Sequence, residues 1–401
     1  MPIGPIFRAM THNRTRVLLI ILEIAFTLAI VTNCVNMIVD ERSKMMKQSG
    51  FDDDNLLFLR SAPFAPEFRE QQYILNHVDS DLRVLRAIPG VKSAVNTNFI
   101  PWQGGGSSGT VKVAGSKDVP VRSQIYYNKG DLFGTLGTKL IEGRDFVPND
   151  FDYDQINGNP KVVIVSKKLA ELLFKTPHVI GRQIDDGQAV YTIVGVLDPF
   201  YNPYGWPIHE YVFFGPSTVG SFARGTRFLI RVEPGAMKST IAAIESALTK
   251  SNGGRVLTMT PIDEIKSNFF SGGRLVMKAM TAVIALLVFV TALGIIGITS
   301  LSVSERTKQI GTRRALGATR RNILTHFILE NWMVTTAGLI LGIAATYGLN
   351  FLLVTHVSGV KMDWRYVAVG MVLLWVNGLI ATIPPAMRGA SVSPAVATRS
   401  V

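Results

Sequence analysis

Residue groups that could hold a ligand or perform catalysis are scarce in this chain of 401 residues. The glycine-rich run Gly104–Gly109 has the composition of a phosphate-binding loop. Such loops, however, combine their glycines with a Lys-Ser or Lys-Thr pair at the start of a helix. The sequence contains no Gly-x-x-x-x-Gly-Lys-Ser/Thr, so we interpret the run as a mobile surface loop that precedes a strand.

The histidines, the cysteine and the carboxylates form no recognisable catalytic or metal site. The six histidines lack metal-ligand spacing, and the single cysteine, Cys34, argues against a zinc site and excludes an intrachain disulfide. No Ser/His/Asp or paired-carboxylate arrangement stands out in the sequence. We therefore expect no catalytic residue, no metal and no cofactor in this chain, which is not expected to be an enzyme.

The most informative residues form a short basic stretch, Ser304–Arg321, between two long apolar segments. Ser304 is a candidate N-cap, Gly317 suits the position just after a helix, and Arg313 and Arg314 suit its last turns. The pattern predicts a short helix on the cytoplasmic face of a membrane, where a soluble partner can push on it. Attraction to anionic lipid is the alternative explanation of the same charge.

Four apolar segments position this basic stretch, because each reaches the roughly 20 residues needed to cross a bilayer. The predicted spans are 17–39, 274–303, 328–356 and 366–387. Basic residues favour the cytoplasmic side of a membrane. This rule places 1–16, the basic helix and loop 304–327, and 388–401 in the cytoplasm. It places 40–273 and the short loop 357–365 outside.

The net charge of +12 supports this topology rather than nucleic-acid binding. Residues 40–273 hold 26 basic and 25 acidic side chains, so almost all of the excess charge lies beside the spans. A basic protein that binds nucleic acid would carry the charge on a soluble domain. The first apolar run is longer than the hydrophobic part of a signal peptide and lacks an Ala-x-Ala site, which indicates an uncleaved anchor.

The outer segment 40–273 alternates between strand and helix patterns, which predicts an α+β domain of several short sheets. Lys161–Val165 is a predicted strand, and Ser166 is expected to cap the helix that follows. Residues 258–304 are predicted to form one long helix whose first turns stand outside the bilayer as a stalk. Met37–Gln48 is the expected matching stalk after the first span.

An aromatic and proline-rich segment, Asp198–Pro216, allows two interpretations. It could be a rigid loop that closes the core of the domain. It could instead expose Tyr201, Tyr204 and Trp206 as a contact surface for a partner or cargo, because tyrosine and tryptophan are favoured at interfaces.

Polar residues inside the spans indicate contacts between helices. Asn33 and Asn36 are candidate hydrogen-bond partners, and Gly338 and Gly342 form a Gly-x-x-x-Gly that permits close helix approach. Glu23 is costly in lipid. It is interpreted as a proton- or substrate-linked site, as a contact between helices, or as a carboxylate close to the cytoplasmic interface near Arg16. Pro384-Pro385 is expected to kink or end the fourth span.

The order of residues in the basic stretch resembles a known family. Glu305-Arg-x-Lys-Gln-Ile-Gly-x-Arg-Arg-Ala-Leu-Gly-Ala is similar to the signature cytoplasmic loop of MacB/FtsX-type ABC transporter permeases. Asp131-Leu-Phe, Glu142-Gly-Arg-Asp-Phe and Thr192-Ile-Val-Gly-Val resemble the periplasmic core domain of that family, and the resemblance covers nearly the whole chain. Three features depart from it: Gln309 replaces a usual Glu, Glu23 is unusual, and these residues include no ATPase domain.

The resemblance implies a membrane α-helical fold, with four transmembrane helices and an α+β periplasmic domain inserted between the first and second. It implies that the chain is the permease subunit of a MacB-like transporter in the bacterial inner membrane. The chain would contact membrane lipids and form a dimer with a second permease chain, identical or related. Two copies of a separate ATPase subunit would bind ATP and Mg²⁺ and drive export of a peptide, toxin or antibiotic by mechanotransmission. A periplasmic adaptor and an outer-membrane channel are also expected, and nucleic acid is not. The residues expected to contact the ATPase are Glu305, Arg306, Gln309, Ile310, Gly311, Arg313, Arg314, Leu316 and Gly317.

Two related functions share this architecture and remain alternatives at this stage. One is non-transport regulation of a cell-wall hydrolase, as in FtsX-like proteins. The other is extraction of lipoproteins from the membrane. The sequence identifies neither the cargo nor the second permease chain.

Overall fold

The computed structural model describes residues 14–47, 49–202, 210–221, 223–356 and 361–393. The chain divides into two compact units. The membrane unit consists of Met1–Met45 and Gly272–Val401, and the outer domain consists of Met46–Ser271.

The described elements follow one another along the chain as one helix, an inserted run of strands and short helices, and then four further helices. They are α1 (Arg14–Met46), β1 (Leu56–Pro63), α2 (Gln71–Arg86), β2 (Val91–Thr97), β3 (Ser107–Val113), β4 (Val121–Lys129), α3 (Leu132–Leu136), β5 (Leu140–Gly143), β6 (Val162–Ser166), α4 (Lys167–Phe174), β7 (Gln183–Asp185), β8 (Val190–Leu197), β9 (Val212–Pro216), β10 (Gly220–Ser221), β11 (Gly225–Val232), α5 (Met237–Ser251), β12 (Arg255–Pro261), α6 (Ile262–Phe269), α7 (Ser271–Glu305), α8 (Thr307–Ala315), α9 (Arg320–His356) and α10 (Trp364–Ala390). Short 3₁₀ turns lie at Pro66–Arg69 and Pro148–Phe151.

Four helical stretches within the described residues are long and apolar enough to cross a membrane, which confirms the predicted fold class. They are α1, the stretch of α6 and α7, α9 and α10. The most apolar part of α1 is 56% buried, whereas that of α6 and α7 is only 11% buried. Helix α1 is therefore the centre of the membrane unit, and α7 leaves most of its apolar surface uncovered.

The core of the membrane unit forms where α1 packs against α9 and α10. Ile24 and Leu28 of α1 are almost fully buried with Leu339 of α9 and Leu374 of α10. At the far end of α1, the backbone of α7 passes close by, since a Cβ added at Gly273 would stand 2.7 Å from Glu41 Oε2.

Two boundaries in the membrane unit differ from the sequence prediction. Residues 258–261 belong to strand β12, so the predicted helix 258–304 begins only at Ile262 and is interrupted at Phe270. Strand pairing with β1 takes priority over the helix-start signal at Thr260-Pro261. Helix α10 also continues through Pro384 and Pro385 to Ala390, so the prolines do not end it.

The outer domain has one hydrogen-bonded network of twelve strands rather than the several separate sheets predicted. Strands β12, β1, β11 and β2 form an open sheet in that order. One face of this sheet is covered by α2 and α5. On that face, Leu59, Phe228 and Ile230 pack against apolar residues of both helices, such as Val78 of α2 and Ile244 of α5. We call this part the open-sheet lobe.

Six of the remaining strands close into a ring, while β5 pairs with β8 and β10 pairs with β11. The path β4, β3, β7, β8, β6, β9 returns to β4 through a parallel pairing in which Gln124 lies opposite Val212. Its interior is a second core that includes Val111, Val165, Ile193 and Phe213. As predicted, the β6 strand leads directly into α4, and the Ser166 hydroxyl accepts a hydrogen bond from the N–H of Leu169.

The closed ring corrects two predictions about loops. Val212–Pro216 is a buried strand of the ring rather than part of a closing loop or an exposed surface. Gly104–Gly109 is not a mobile surface loop: the N–H of Gly106 donates to Asn98 O at 3.0 Å, and strand β3 begins at Ser107. Positive φ angles at Gly105 and Gly106 allow this tight approach, where a side chain at Gly105 would collide with Asn98 O.

Candidate functional site

The basic helix α8 is short and ends as the sequence predicts. The N–H of Gly317 donates to Arg314 O, and the N–H of Ala318 donates to Arg313 O. Together with a φ of 95° at Gly317, these two bonds form the Schellman motif that glycine favours. The predicted start is wrong, since Ser304 lies in the last turn of α7 and Arg306 precedes the first residue of α8. A single residue therefore separates α7 from α8.

One face of α8 is buried in the membrane unit. Ile310 is 5% exposed and packs in a cluster with Phe327 of α9 and Ala386 of α10. Gly311 beside it is also buried, and its missing side chain suits a crowded position. Ile310 and Gly311, which are both predicted to contact an ATPase, are buried where α8 packs against its own chain.

Arg314 fastens the end of α8 to the end of α10. Its Nη1 donates to the backbone oxygens of Ala390 at 3.1 Å and Val392 at 2.6 Å. Carbonyls at the end of a helix carry partial negative charge, so a guanidinium is well placed there. Arg314 is therefore largely engaged within the chain.

Two ion pairs hold the junction between α7 and α8. Arg16 of α1 lies 2.8 Å from Glu305, and Arg306 lies 3.1 Å from Glu330 of α9. The first pair is exposed and contributes little by itself, whereas the second is mostly shielded from solvent. Each pair joins the junction to a different helix, so together they set the direction in which α8 leaves α7.

The opposite face of α8 is exposed. It presents Lys308, Gln309, Thr312 and Arg313, and Leu316 at its end is 83% exposed. A cationic surface with one large uncovered apolar side chain has the composition of a protein contact. Five of the residues expected at an ATPase contact are therefore accessible, and Lys308 joins them: Glu305, Gln309, Arg313, Leu316 and Gly317.

The intramembrane polar residues lie at contacts of α1. The side chain of Asn33 donates to Thr346 O at 3.3 Å and accepts from Nδ2 of Asn350 at 3.1 Å. Asn36 is buried one turn further along α1. Glu23 is half-buried, and its carboxylate lies against the backbone of α7 at Gly294.

At Gly338 and Gly342, α9 approaches α1 closely. A Cβ added at Gly338 would stand 2.8 Å from Ile24 Cβ, and one at Gly342 would stand 3.1 Å from Ala25 Cα. The two positions leave no room for a side chain, which explains the glycines.

The aromatic segment of the outer domain contributes less surface than its composition indicates. Tyr201 is 6% exposed, lies under the Lys47 ammonium at 4.1 Å, and donates its N–H to Ser49 O. It is therefore part of the interior rather than an exposed contact. Tyr204 and Trp206 lie outside the described residues.

Sequence reasoning missed the partners of the junction. The sequence prediction gives Glu330 no role, and it uses Arg16 as a topology signal and as a neighbour of Glu23 rather than as a partner of Glu305. The available signal was that residues of opposite charge, Arg16 with Glu305 and Arg306 with Glu330, lie at matching depths near the ends of different spans. Which of them pair depends on how the helices pack.

The fold and site together define a membrane-embedded permease with a large extracytoplasmic domain. A MacB-like periplasmic core domain model matches residues 17–248, and an FtsX-like permease C-terminal model matches residues 281–394. The first match covers more than half of the chain. The chain therefore belongs to the MacB/FtsX-type permeases of ABC transporters.

Curated relatives agree with this membership. The uncharacterised ABC transporter permease YknZ of Bacillus subtilis is 26% identical over 371 residues, or 89% of this chain and 88% of the relative. The macrolide export ATP-binding/permease protein MacB of Escherichia coli is 26% identical over 404 residues, or 97% of this chain and 59% of the relative. MacB of Chromobacterium violaceum is 28% identical over 285 residues, or 69% of this chain and 43% of the relative. The chain thus spans about half the length of the MacB relatives it matches.

The periplasmic region of MacB from Actinobacillus actinomycetemcomitans matches 56% of this chain and 97% of that chain, at 16% identity and a TM-score of 0.38.

Proposed function

We propose that this chain is the permease subunit of an ATP-driven exporter in the bacterial inner membrane. A separate ATPase, in two copies, would bind ATP and Mg²⁺ and press on α8 of two permease chains. The permeases would convert this motion into a conformational change of the outer domains, which drives export of a peptide, toxin or antibiotic.

The observation that carries this proposal is the division of α8 into two faces. Ile310 is buried against α9 and α10, while Lys308, Arg313 and Leu316 are exposed on the other side. A helix with only an exposed basic face could lie on lipid. A helix that is also packed into the bundle, and fastened by Arg314, transmits a force applied to its exposed face.

The route from α8 into the membrane is short and stiff. Arg306 alone separates α8 from α7, and α7 has 35 residues. At 1.5 Å per residue α7 is about 50 Å long, which exceeds the roughly 30 Å hydrocarbon core. A tilt of α8 would therefore displace a helix that extends beyond the membrane, and the Arg306–Glu330 pair would limit that tilt.

The remaining partners follow from the same proposal. The largely uncovered apolar surface of α7 is available to lipid and to a second permease chain. The MacB relatives carry a macrolide-export name, which supports export as the direction of transport. An adaptor in the periplasm and an outer-membrane channel would complete the path.

Co-purification of an ATPase tests the proposal. The full chain, tagged and gently extracted from its native membrane, is purified as wild type, as Arg313→Glu and as Lys278→Glu. Lys278 is exposed near the other end of α7 and serves as a matched charge reversal. We expect an ATPase with wild type and Lys278→Glu, and about tenfold less with Arg313→Glu, the loss that corresponds to about 1.4 kcal/mol.

Two results would contradict the coupling role of α8. One is the absence of any associated ATPase from the wild-type preparation. The other is equal recovery of ATPase activity, with equal coupling to transport, in Arg313→Glu and wild type.

A further inference from the structure

An open cleft lies in the open-sheet lobe of the outer domain. It has a volume of about 330 Å³. Its lining residues are Asn98, Gly106, Val219, Gly220, Arg224, Gly225 and Arg227. Two of them are arginines and none is a carboxylate, so the lining is cationic. We call it the arginine cleft.

A third arginine lies beside the cleft. Arg60 of β1 is directly opposite Arg227 of β11 in their antiparallel pairing. Phe228 faces the core under α2 and α5. Its neighbour Arg227 therefore points to the other face of the sheet, and so does Arg60, because successive side chains alternate between faces. Opposed residues on one face lie about 4.5–5.5 Å apart at Cβ, and like charges there destabilise the pair.

The local environment of Arg227 is unfavourable in the free protein. Its guanidinium is half-buried, and burial lowers its pKa, as do the positive charges of Arg60 and Arg224. Within the described residues, the side chains of Arg60 and Arg227 have no hydrogen-bond acceptor and no carboxylate partner. A partly desolvated guanidinium with donors but no acceptor is a group that an anion would stabilise.

We propose that the arginine cleft binds the carboxylates of an acidic peptide segment. Guanidinium groups match carboxylates through two parallel N–H···O bonds. Arg224 and Arg227 line the cleft, and Arg60 lies opposite Arg227 on the neighbouring strand. The cleft holds roughly ten times the 30 Å³ that one water occupies in the liquid, so it admits a stretch of chain rather than a single small ion.

This inference does not depend on the role of α8. The acidic segment would belong to a protein or peptide in the extracytoplasmic space, and it would be recognised whether or not an ATPase is bound.

Binding of a fluorescent oligoglutamate peptide to the full chain in detergent tests the proposal, with fluorescence anisotropy as the measurement. The variants are Arg227→Gln and Arg60→Gln, and the control is Arg122→Gln. Arg122 is an exposed residue of β4 in the same domain and equals the variants in charge change. Oligoglutamine and inorganic phosphate serve as the comparison ligands.

We expect oligoglutamate to bind wild type and Arg122→Gln alike, and about tenfold more weakly to Arg227→Gln, since one charge-assisted hydrogen bond is worth about that factor. Oligoglutamine should not bind. In the absence of peptide, Arg227→Gln should unfold at a higher temperature than wild type, because it relieves the repulsion of Arg60 and Arg224. This second measurement separates loss of a ligand contact from loss of folding.

Three outcomes would overturn the proposal. Oligoglutamate could fail to bind the wild-type chain, or Arg122→Gln could weaken binding as much as Arg227→Gln. Finally, longer oligoglutamate could bind no more tightly than short oligoglutamate, and inorganic phosphate could displace the peptide at the concentration at which phosphate binds the chain alone. That result would assign the cleft to a small anion.

Discussion

The outer domain and the membrane unit bury polar groups in different ways. The outer domain buries a complete ion pair, in which both Nη atoms of Arg255 donate to the carboxylate of Asp81 and both side chains are almost fully enclosed. The membrane unit buries neutral pairs, Thr27 with Thr291 and Asn33 with Asn350. Within the described residues, its ion pairs lie at the junction of α7 and α8 and at the opposite end of α1.

The difference follows from the surroundings of each unit. The outer domain folds from water and can surround a charged pair with further donors and acceptors, such as the backbone oxygen of Leu248 that accepts from Arg255. In hydrocarbon a charge costs several kcal/mol, whereas a hydroxyl or amide is satisfied by a neighbouring helix. Breaking a polar contact should therefore be expensive in the outer domain and mild in the membrane unit.

The largest expected effect is that of Asp81→Ala in α2. Removing the carboxylate leaves Arg255 charged and buried, which destabilises proteins by about 3–5 kcal/mol. Unfolding of the full chain in detergent, followed by tryptophan fluorescence, measures the change. Asp79→Ala is the control, because its pair with Lys129 is exposed and should contribute less than about 1 kcal/mol. Equal losses of unfolding free energy in Asp81→Ala and Asp79→Ala would show that burial of the ion pair does not make its loss expensive.

In the membrane unit, packing should matter more than polarity. Gly342→Val forces a side chain against Ala25 of α1 and is expected to cost about 1–3 kcal/mol through overpacking. Gly348→Val on the same helix is the matched control, since the space at Gly348 is open. Thermal unfolding in detergent, followed by circular dichroism, should show a lower midpoint for Gly342→Val only.

The outer domain also contains a carboxyl group whose pKa is raised, that of Asp145. Burial raises the pKa of Asp145 to about 6, and the hydrogen-bonded carboxyl of Asp131 adds to the shift. A raised carboxyl pKa contributes stability at low pH that is lost as pH rises through the folded-state pKa. Asp145→Asn cannot ionise and keeps a hydrogen-bond donor towards Asp131. Above pH 6, where the wild-type carboxyl is ionised, the variant should be more stable than wild type by about 1–2 kcal/mol. Below about pH 4, where the wild-type carboxyl is neutral, this difference in stability should vanish.

Asp150, five residues further on, should respond in the opposite direction. Burial acts to raise its pKa, but hydrogen bonds from Arg144 and from the N–H of Val147 prevail and lower it. Asp150→Asn should therefore lose stability at neutral pH and become similar to wild type in acid. Unfolding curves of both variants across this pH range test the pair, and parallel behaviour of the two would contradict the assignment.

The smallest expected effect is that of Asn350→Leu in α9. It removes the bond to Asn33 and the acceptor for the N–H of Met362, yet hydrogen bonds between membrane helices average only about 0.6 kcal/mol. Thr355→Val is a control whose hydroxyl bonds only within its own helix. A loss as large as that of Asp81→Ala would show that the two units do not differ as described.

Local sequence patterns were sufficient for the elements that depend on neighbouring residues. The four spans follow from the length of apolar runs, and the caps at Ser166 and Gly317 follow from residue types that suit those positions. The family signature in α8 is also continuous in the sequence. Such features need no knowledge of distant contacts, so the sequence determined them by itself.

The tertiary structure decided which distant residues meet. Strand pairing converted 258–261 from a predicted helix into β12 and placed Val212–Pro216 in the closed ring. Helix packing buried Ile310 and joined Glu305 to Arg16. Register set Arg60 opposite Arg227. Each of these contacts joins segments that are far apart along the chain. A shift of one residue in a strand, or of part of a turn in a helix, would bring a different residue into each contact. Only the packed fold therefore selects which residues are partners.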